Sequence, residues 1–178
     1  MLFAKFITLT RGKENMLFTL WEIFDVIIMT FAVGFIFSDM FKQAKNPFLF
    51  SCLATAPALI VHELLHKFVA LGFGLDATFN AFYQFLVLGI LLKLVNFPFM
   101  FFVPAYVSIS GEGLTPLASA AVSFAGPGAN LLLFLISWAL LQQKTLKTST
   151  YLFLQVTKQI NLFLFAFNML PIPGFDGL

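Results

Sequence analysis

Phe48–Gly72 reads FLFSCLATAPALIVHELLHKFVALG, a long apolar run that carries His62, Glu63, His66 and Lys67 toward its C-terminal end. A helix needs about 20 mostly apolar residues to cross the hydrocarbon core of a bilayer, and this run suffices. Ionisable side chains at such depth are costly, and by default they mark function. One stretch therefore names both the solvent, lipid, and the place to look for chemistry.

Outward from it lie four more apolar windows. Met16–Phe37 precedes it, with Glu22 and Asp25 inside. Ala81–Val103 follows, interrupted by Lys93, Asn96 and Pro98. Leu114–Leu141 is rich in small residues, and Tyr151–Leu170 runs straight into PIPGFDGL. Polar stretches at Ser38–Pro47 and Gln142–Thr150 separate windows, and there is no internal repeat. One membrane domain fills residues 1–178, with 1–47 as lead-in and first helix and 48–178 as the core that holds the ionisable cluster. Residues 1–15, with Lys5, Arg11 and Lys13, read as an interfacial or cytosolic lead-in rather than a cleaved signal.

Composition agrees. Of 178 residues, 60% are hydrophobic and 10% charged, and the mean hydropathy is +0.96. Soluble domains carry about 25% charged residues, so a soluble globular enzyme and a disordered chain are both excluded. A formal charge of +2 supplies no basic stripe, so no nucleic acid is expected as a partner. The 26 phenylalanines suit a lipid-facing surface. Cys52, the single cysteine, can form neither an intramolecular disulfide nor a cysteine-type zinc site.

Within Pro104–Gly113 (PAYVSISGEG), Val107 and Ile109 alternate with Ser108 and Ser110, which is the period of a strand. Gly72–Asn80 is a weaker candidate for its partner. An open sheet edge cannot face lipid, so such strands belong at the interface or inside the protein.

His62 and His66 are i and i+4 on a helix, on one face and about 6 Å apart, so both imidazoles reach one Zn²⁺. Glu63 projects beside them, placed to take a proton from a water that the ion acidifies. A structural pair of histidines is the blander alternative, but both histidines of the chain fall in this motif. A catalytic zinc wants a third protein ligand and an open position. Glu22, Asp25, Glu112 and Asp176 are the candidates. Cys52, ten residues before His62 on the same helix, lies about 15 Å away along the axis. Asp176 is best placed, because Pro171, Pro173, Gly174 and Gly177 force its segment out of helix. Backbone of that kind is tolerated at membrane depth only where it lines a cavity. Zn²⁺, two neutral imidazoles and the carboxylates of Asp176 and Glu63 also sum to zero charge, which suits a low dielectric.

These residues together resemble the site-2 protease family of intramembrane metalloproteases. The resemblance rests on HELLH in a membrane helix, Gly126-Pro127-Gly-Ala-Asn130 in a later one, and Asn168-x-x-Pro171-x-Pro173-x-x-Asp176-Gly177. It covers about residues 48–177, and family members continue beyond the Asp-Gly pair where this sequence stops at Leu178. The resemblance implies one zinc held by His62, His66 and Asp176, with Glu63 as general base and Asn168 holding the substrate carbonyl or its oxyanion. It also implies a multi-pass protein of the cell membrane with its active site nearer the cytosolic side.

Remaining polar residues have plainer readings. Asn161 is interhelical glue, commonly worth under about 2 kcal/mol, and Asn130 either supports the site or contacts substrate backbone. Glu22 and Asp25 sit in first turns, where the helix dipole favours anions. Lys67 and Lys93 snorkel.

Asp176 must reach the side and depth of His62 and His66, yet three windows intervene. Two full crossings return the chain to that side, whereas three do not. The broken window at Ala81–Val103 is therefore read as a re-entrant or interfacial hairpin. The expected fold is an all-α multi-pass membrane protein of about four transmembrane helices, with that hairpin and a short β element. The expected function is an intramembrane zinc endopeptidase whose partners are the bilayer and the transmembrane segment of a membrane-anchored substrate. The alternatives are a non-catalytic metal-binding membrane protein and a membrane metalloprotease of the prenyl-protein-processing kind.

Overall fold

The computed structural model describes residues 17–97, 103–111, 115–171 and 176. Helix α1 (Leu20–Phe37) begins at a reciprocal cap. The Thr19 N–H donates to Glu22 Oε2 at 2.7 Å, and the Glu22 N–H donates to Thr19 Oγ1 at 3.2 Å. A 3₁₀ turn (Ser38–Phe41) follows. Helix α2 (Pro47–Gly72) starts with Asn46, whose Oδ1 accepts from the Leu49 N–H at 3.0 Å, and with Pro47, whose missing N–H costs nothing in a first turn. Helix α4 (Pro116–Leu140) repeats this device with Thr115 and Pro116. Between them lie β1 (Asp76–Ala81), the short helix α3 (Tyr83–Leu94) and β2 (Ala105–Ser110). Helix α5 (Thr148–Asn168) follows α4.

By length and composition, α1 with its 3₁₀ extension, α2 and α4 can cross a membrane, which makes three candidate spans among the described residues. The chain is thus mostly helical, with three such helices and a small sheet. The fourth expected span, α5, has 21 residues, but Gln155, Lys158, Gln159 and Asn161 lower its hydropathy, and it is not among the three. Aliphatic and aromatic side chains such as Phe24, Phe31, Leu53, Phe124, Leu132 and Trp138 point outward from α1, α2 and α4. An outward apolar surface of this extent suits a lipid solvent.

The two strands pair antiparallel, with Asp76 opposite Ser110 and Ala81 opposite Ala105. Alternation along β2 is as its sequence period requires: Ala105 is buried, Val107 and Ile109 half-buried, and Tyr106, Ser108 and Ser110 exposed. Because Ala81 faces Ala105, and the Phe82 N–H donates to Pro104 O at 2.9 Å, the segment between the strands leaves and returns at one point. Its helix α3 has 12 residues, about 18 Å at the α-helical rise and too short for a roughly 30 Å hydrocarbon core. It ends just before Asn96, which takes φ 52°, a conformation that asparagine tolerates. Pro98, Glu112, residues 172–175 with Pro173 and Gly174, Gly177, and the lysine- and arginine-bearing lead-in lie outside the described residues.

Met29, Val33, Phe79, Leu86 and Ala105 form one core, where α1 meets the sheet and α3. Ala70, Leu75, Ala77 and Val122 form a second, where the end of α2 meets the sheet and α4. Helices α1 and α2 approach closely at Gly34, where a Cβ would lie 2.1 Å from the Cys52 Sγ. Cys52 is thereby committed to packing.

One charged side chain does something other than expected, while Glu22 and Asp25 serve structure as their places in the first turns suggest. Lys67 does not snorkel: it is 1% exposed and bonded to Glu22, itself 2% exposed. The same carboxylate accepts from the Phe79 N–H at 2.8 Å, so Glu22 ties α1 to α2 and to β1. Pairing the ammonium with a carboxylate that also accepts backbone N–H bonds, and setting it over the Phe18 ring at 4.8 Å, is what makes burial of both charges tolerable. Asp25 likewise serves structure, accepting from the Ala81 N–H at 3.1 Å and from the Tyr83 hydroxyl. Burial, and then the Asp25 carboxylate, push the Tyr83 phenol up to about 12.

Candidate metal centre

Helix α2 delivers His62, Glu63 and His66, and the helical period sets the two imidazoles edge to face with centroids 4.7 Å apart. Each ring is fixed from behind by helix α4. His62 Nδ1–H donates to Asn130 Oδ1 at 2.5 Å, and His66 Nδ1–H donates to the Val122 carbonyl at 2.6 Å. A carbonyl can only accept, so the proton of each neutral ring resides on Nδ1. Both Nε2 lone pairs then face inward, 3.1 Å from each other.

Asp176, placed beyond the end of α5, completes the cluster. Its Oδ2 lies 3.0 Å from His62 Nε2 and 3.3 Å from His66 Nε2. Three electron-rich atoms thus lie within 4.8 Å of one another. Such convergence is repulsive by itself and relieved by a cation between them. Tetrahedral zinc with nitrogen and oxygen ligands near 2.0–2.1 Å has donor–donor edges of about 3.3 Å. The observed separations of 3.0, 3.1 and 3.3 Å fit that ion.

Room for the cluster comes from Gly126, one turn before Asn130. A Cβ there would lie 2.2 Å from His66 Nε2 and 2.6 Å from His62 Nε2. Any side chain at 126 would fill the cradle. Pro127 follows and has no N–H for the carbonyl of Ser123, a residue that lines the adjoining cavity.

The cavity measures about 200 Å³. His62, Glu63 and His66 form one wall, β2 residues another, and Asn168 and Asp176 close it. All five candidate residues, His62, Glu63, His66, Asn168 and Asp176, therefore meet at one place. The other third-ligand candidates do not join them: Glu22 and Asp25 are engaged elsewhere, and Glu112 lies outside the described residues. Asn168 donates to Leu164 O at 3.0 Å through Nδ2, which has a second hydrogen. Among the described residues no strand pairs with the outer edge of β2.

Sequence reasoning missed the Val122 carbonyl, since a backbone acceptor has no sequence signature. It also left the role of Asn130 open. The Gly126-Pro127-x-x-Asn130 spacing was the available signal: it puts the cradle and the amide on one face of α4.

A protein of Methanocaldococcus jannaschii named "Putative zinc metalloprotease MJ0611" is 38% identical over 156 residues, covering 88% of this chain and 81% of the relative. The chain belongs to this family of zinc metalloproteases. A second zinc metalloprotease relative, "Putative zinc metalloprotease YwhC" of Bacillus subtilis, is 32% identical over 154 residues, covering 73% of this chain and 70% of its own. No family model matches the chain, and no solved structure matches it. For this zinc metalloprotease family member, the cluster of His62, His66 and Asp176 is where the described residues could hold a metal.

Proposed function

We propose that the protein is an intramembrane zinc endopeptidase of the site-2 protease type. The observation that carries this reading is the convergence of His62, His66 and Asp176 beside Glu63, in a bundle of membrane-length helices. His62, His66 and Asp176 would hold the ion and leave the cavity side open for water and substrate. Bound zinc would supply a Lewis acid for a scissile carbonyl and lower the pKa of water.

The chain's own groups carry the rest. The Glu63 carboxylate takes the proton of the attacking water and delivers it to the leaving amide nitrogen. The second Asn168 Nδ2 hydrogen is available to a carbonyl oxygen as it gains charge. An extended substrate can add to the outer edge of β2, a strand whose residues Ala105, Tyr106, Val107 and Ile109 line the cavity, once its helix has locally unwound. Unwinding is needed because a helical carbonyl is shielded by its own hydrogen bond.

The substrate in this reading is the transmembrane segment of a membrane-anchored protein, entering laterally from the bilayer. The Ala81–Val103 window is read as a re-entrant or interfacial hairpin, a reading supported by the pairing of Ala81 with Ala105. Helix α5 is then a fourth crossing that returns Asp176 to the side of α2's C-terminal half. The family resemblance puts that side in the cytosol of the cell membrane; Lys5, Arg11 and Lys13 of the lead-in agree with it, while Lys42 and Lys45 in the opposite loop dilute the positive-inside signal. A prenyl-protein-processing reading wants a glutamate as third ligand, and has less support because Glu22 is bound to Lys67.

The test is cleavage of a co-expressed single-spanning membrane protein. Glu63→Gln should retain metal and abolish cleavage, whereas unchanged cleavage in that variant would refute the role of Glu63 and the mechanism with it.

A further inference from the structure

A chain of three hydrogen bonds runs from α5 through α4 to the metal centre, and each link has only one possible direction. At its far end the Asn161 Nδ2 donates to the Thr157 carbonyl at 2.8 Å. A backbone carbonyl only accepts, so the Asn161 amide is turned with its nitrogen that way and its Oδ1 toward α4. That oxygen accepts from Asn130 Nδ2 at 2.8 Å, while the Ala58 carbonyl accepts from the same nitrogen at 3.1 Å. Flipping Asn130 would set its oxygen against two acceptors. Its Oδ1 is therefore committed to His62 Nδ1, and the His62 proton to Nδ1. Both asparagines are fully buried, where an unpaired amide is expensive, so the direction of the chain is enforced.

We propose that Asn161, which touches none of the site's donors, is a positioning residue for the metal centre: through Asn130 it locks His62 in the tautomer whose Nε2 lone pair faces His66 and Asp176. With Asn161 removed, one Asn130 hydrogen loses its acceptor, the penalty for flipping falls, and a flipped Asn130 would ask His62 for an acceptor at Nδ1. His62 would then carry its proton on Nε2, where it blocks a metal. The proposal rests on the zinc reading of the site and extends it to a residue on α5.

Zinc affinity of the purified full chain, measured by competition with a chelator, tests it without any proteolysis assay. Asn161→Leu is expected to weaken zinc about 10- to 100-fold, the usual cost of losing an outer hydrogen-bond partner of a metal ligand. Asn161→Asp keeps an oxygen for Asn130 Nδ2 and is expected to stay within about threefold of wild type, a small part of that range. A purely packing role for Asn161 would lower thermal stability in the leucine variant and leave zinc affinity unchanged, which would overturn the proposal. Should Asn161→Leu fail to fold, the aspartate variant and nitrogen NMR of the metal-free protein decide it. The chain has only two histidines, so their ring signals are few. Above the imidazole titration range, wild type and Asn161→Asp should show His62 protonated on Nδ1; Nε2 protonation in either would contradict the proposal. A wild type that binds no zinc would instead overturn the underlying zinc reading.

Discussion

Asp176 Oδ2 lies 3.0 Å from His62 Nε2, although 114 residues separate the two in sequence. The contact closes a cluster of candidate donors that α2 begins and the chain beyond α5 finishes, so the cluster exists only once these elements are packed together. Asp176→Ala removes one of three donors and should cost more than the roughly 100-fold that loss of an outer partner costs. Metal analysis after dialysis checks this, and retention of one zinc per chain would remove Asp176 from the site.

Gly126 sets the space between α4 and the two imidazoles. In Gly126→Ala the new methyl would stand 2.2 Å from His66 Nε2, inside any allowed contact. Zinc binding should fall by at least about 100-fold, since both donor atoms must be displaced. Gly128→Ala is the matched control, because the atoms nearest its Cβ belong to the Phe124 ring, the first at 3.1 Å, and Phe124 is exposed. It should bind zinc as the wild type does; equal loss in both variants would show a general packing defect instead.

The buried pair of Glu22 and Lys67 should behave asymmetrically on mutation. Lys67→Met leaves Glu22 uncompensated and is expected to cost about 3–5 kcal/mol of stability. Adding Glu22→Gln removes the stranded charge and should recover much of that loss. Denaturant unfolding in detergent of the two single variants and the double variant checks it, and strict additivity would mean that the pair is not coupled.

Tyr83 offers a titration outside the spanning helices. Its phenol is pushed up from 10.0 to about 12, and its bond to Asp25 requires the proton. The contribution of that bond to stability is therefore complete below pH 10 and lost as pH rises through about 12. In tyrosinate absorbance, the difference between wild type and Tyr83→Phe should show a half-point near 12. A half-point at the ordinary phenol value would mean that Asp25 does not hold the hydroxyl.

Much of this arrangement was legible before the fold was known, and for physical reasons. HELLH declares itself because ionisable residues are scarce in lipid-facing sequence, and the alternation of Val107 and Ile109 with serines marks β2 because sheet periodicity is local. Parity alone argued for a break in the Ala81–Val103 window, where the described residues hold the 12-residue α3, and the strands on either side pair with Ala81 opposite Ala105. The number of spans was less legible: α5 is long enough, but its polar residues depress the hydropathy on which the expectation rested. Lys67 was misread because an isolated lysine near a helix end usually snorkels. Its partner Glu22 lies 45 residues earlier, and only the antiparallel packing of α1 on α2 brings the two together. The Asn161–Asn130–His62 chain was hidden for the same reason, since each link joins a different helix.

Zinc content of the purified protein, measured side by side for wild type and His62→Ala, tests the central claim most directly. One zinc per wild-type chain and none in the variant is the expected result, because His62 supplies a donor whose lone pair α4 aims at the site. A wild type without stoichiometric metal, or a His62→Ala protein that keeps it, would contradict the account.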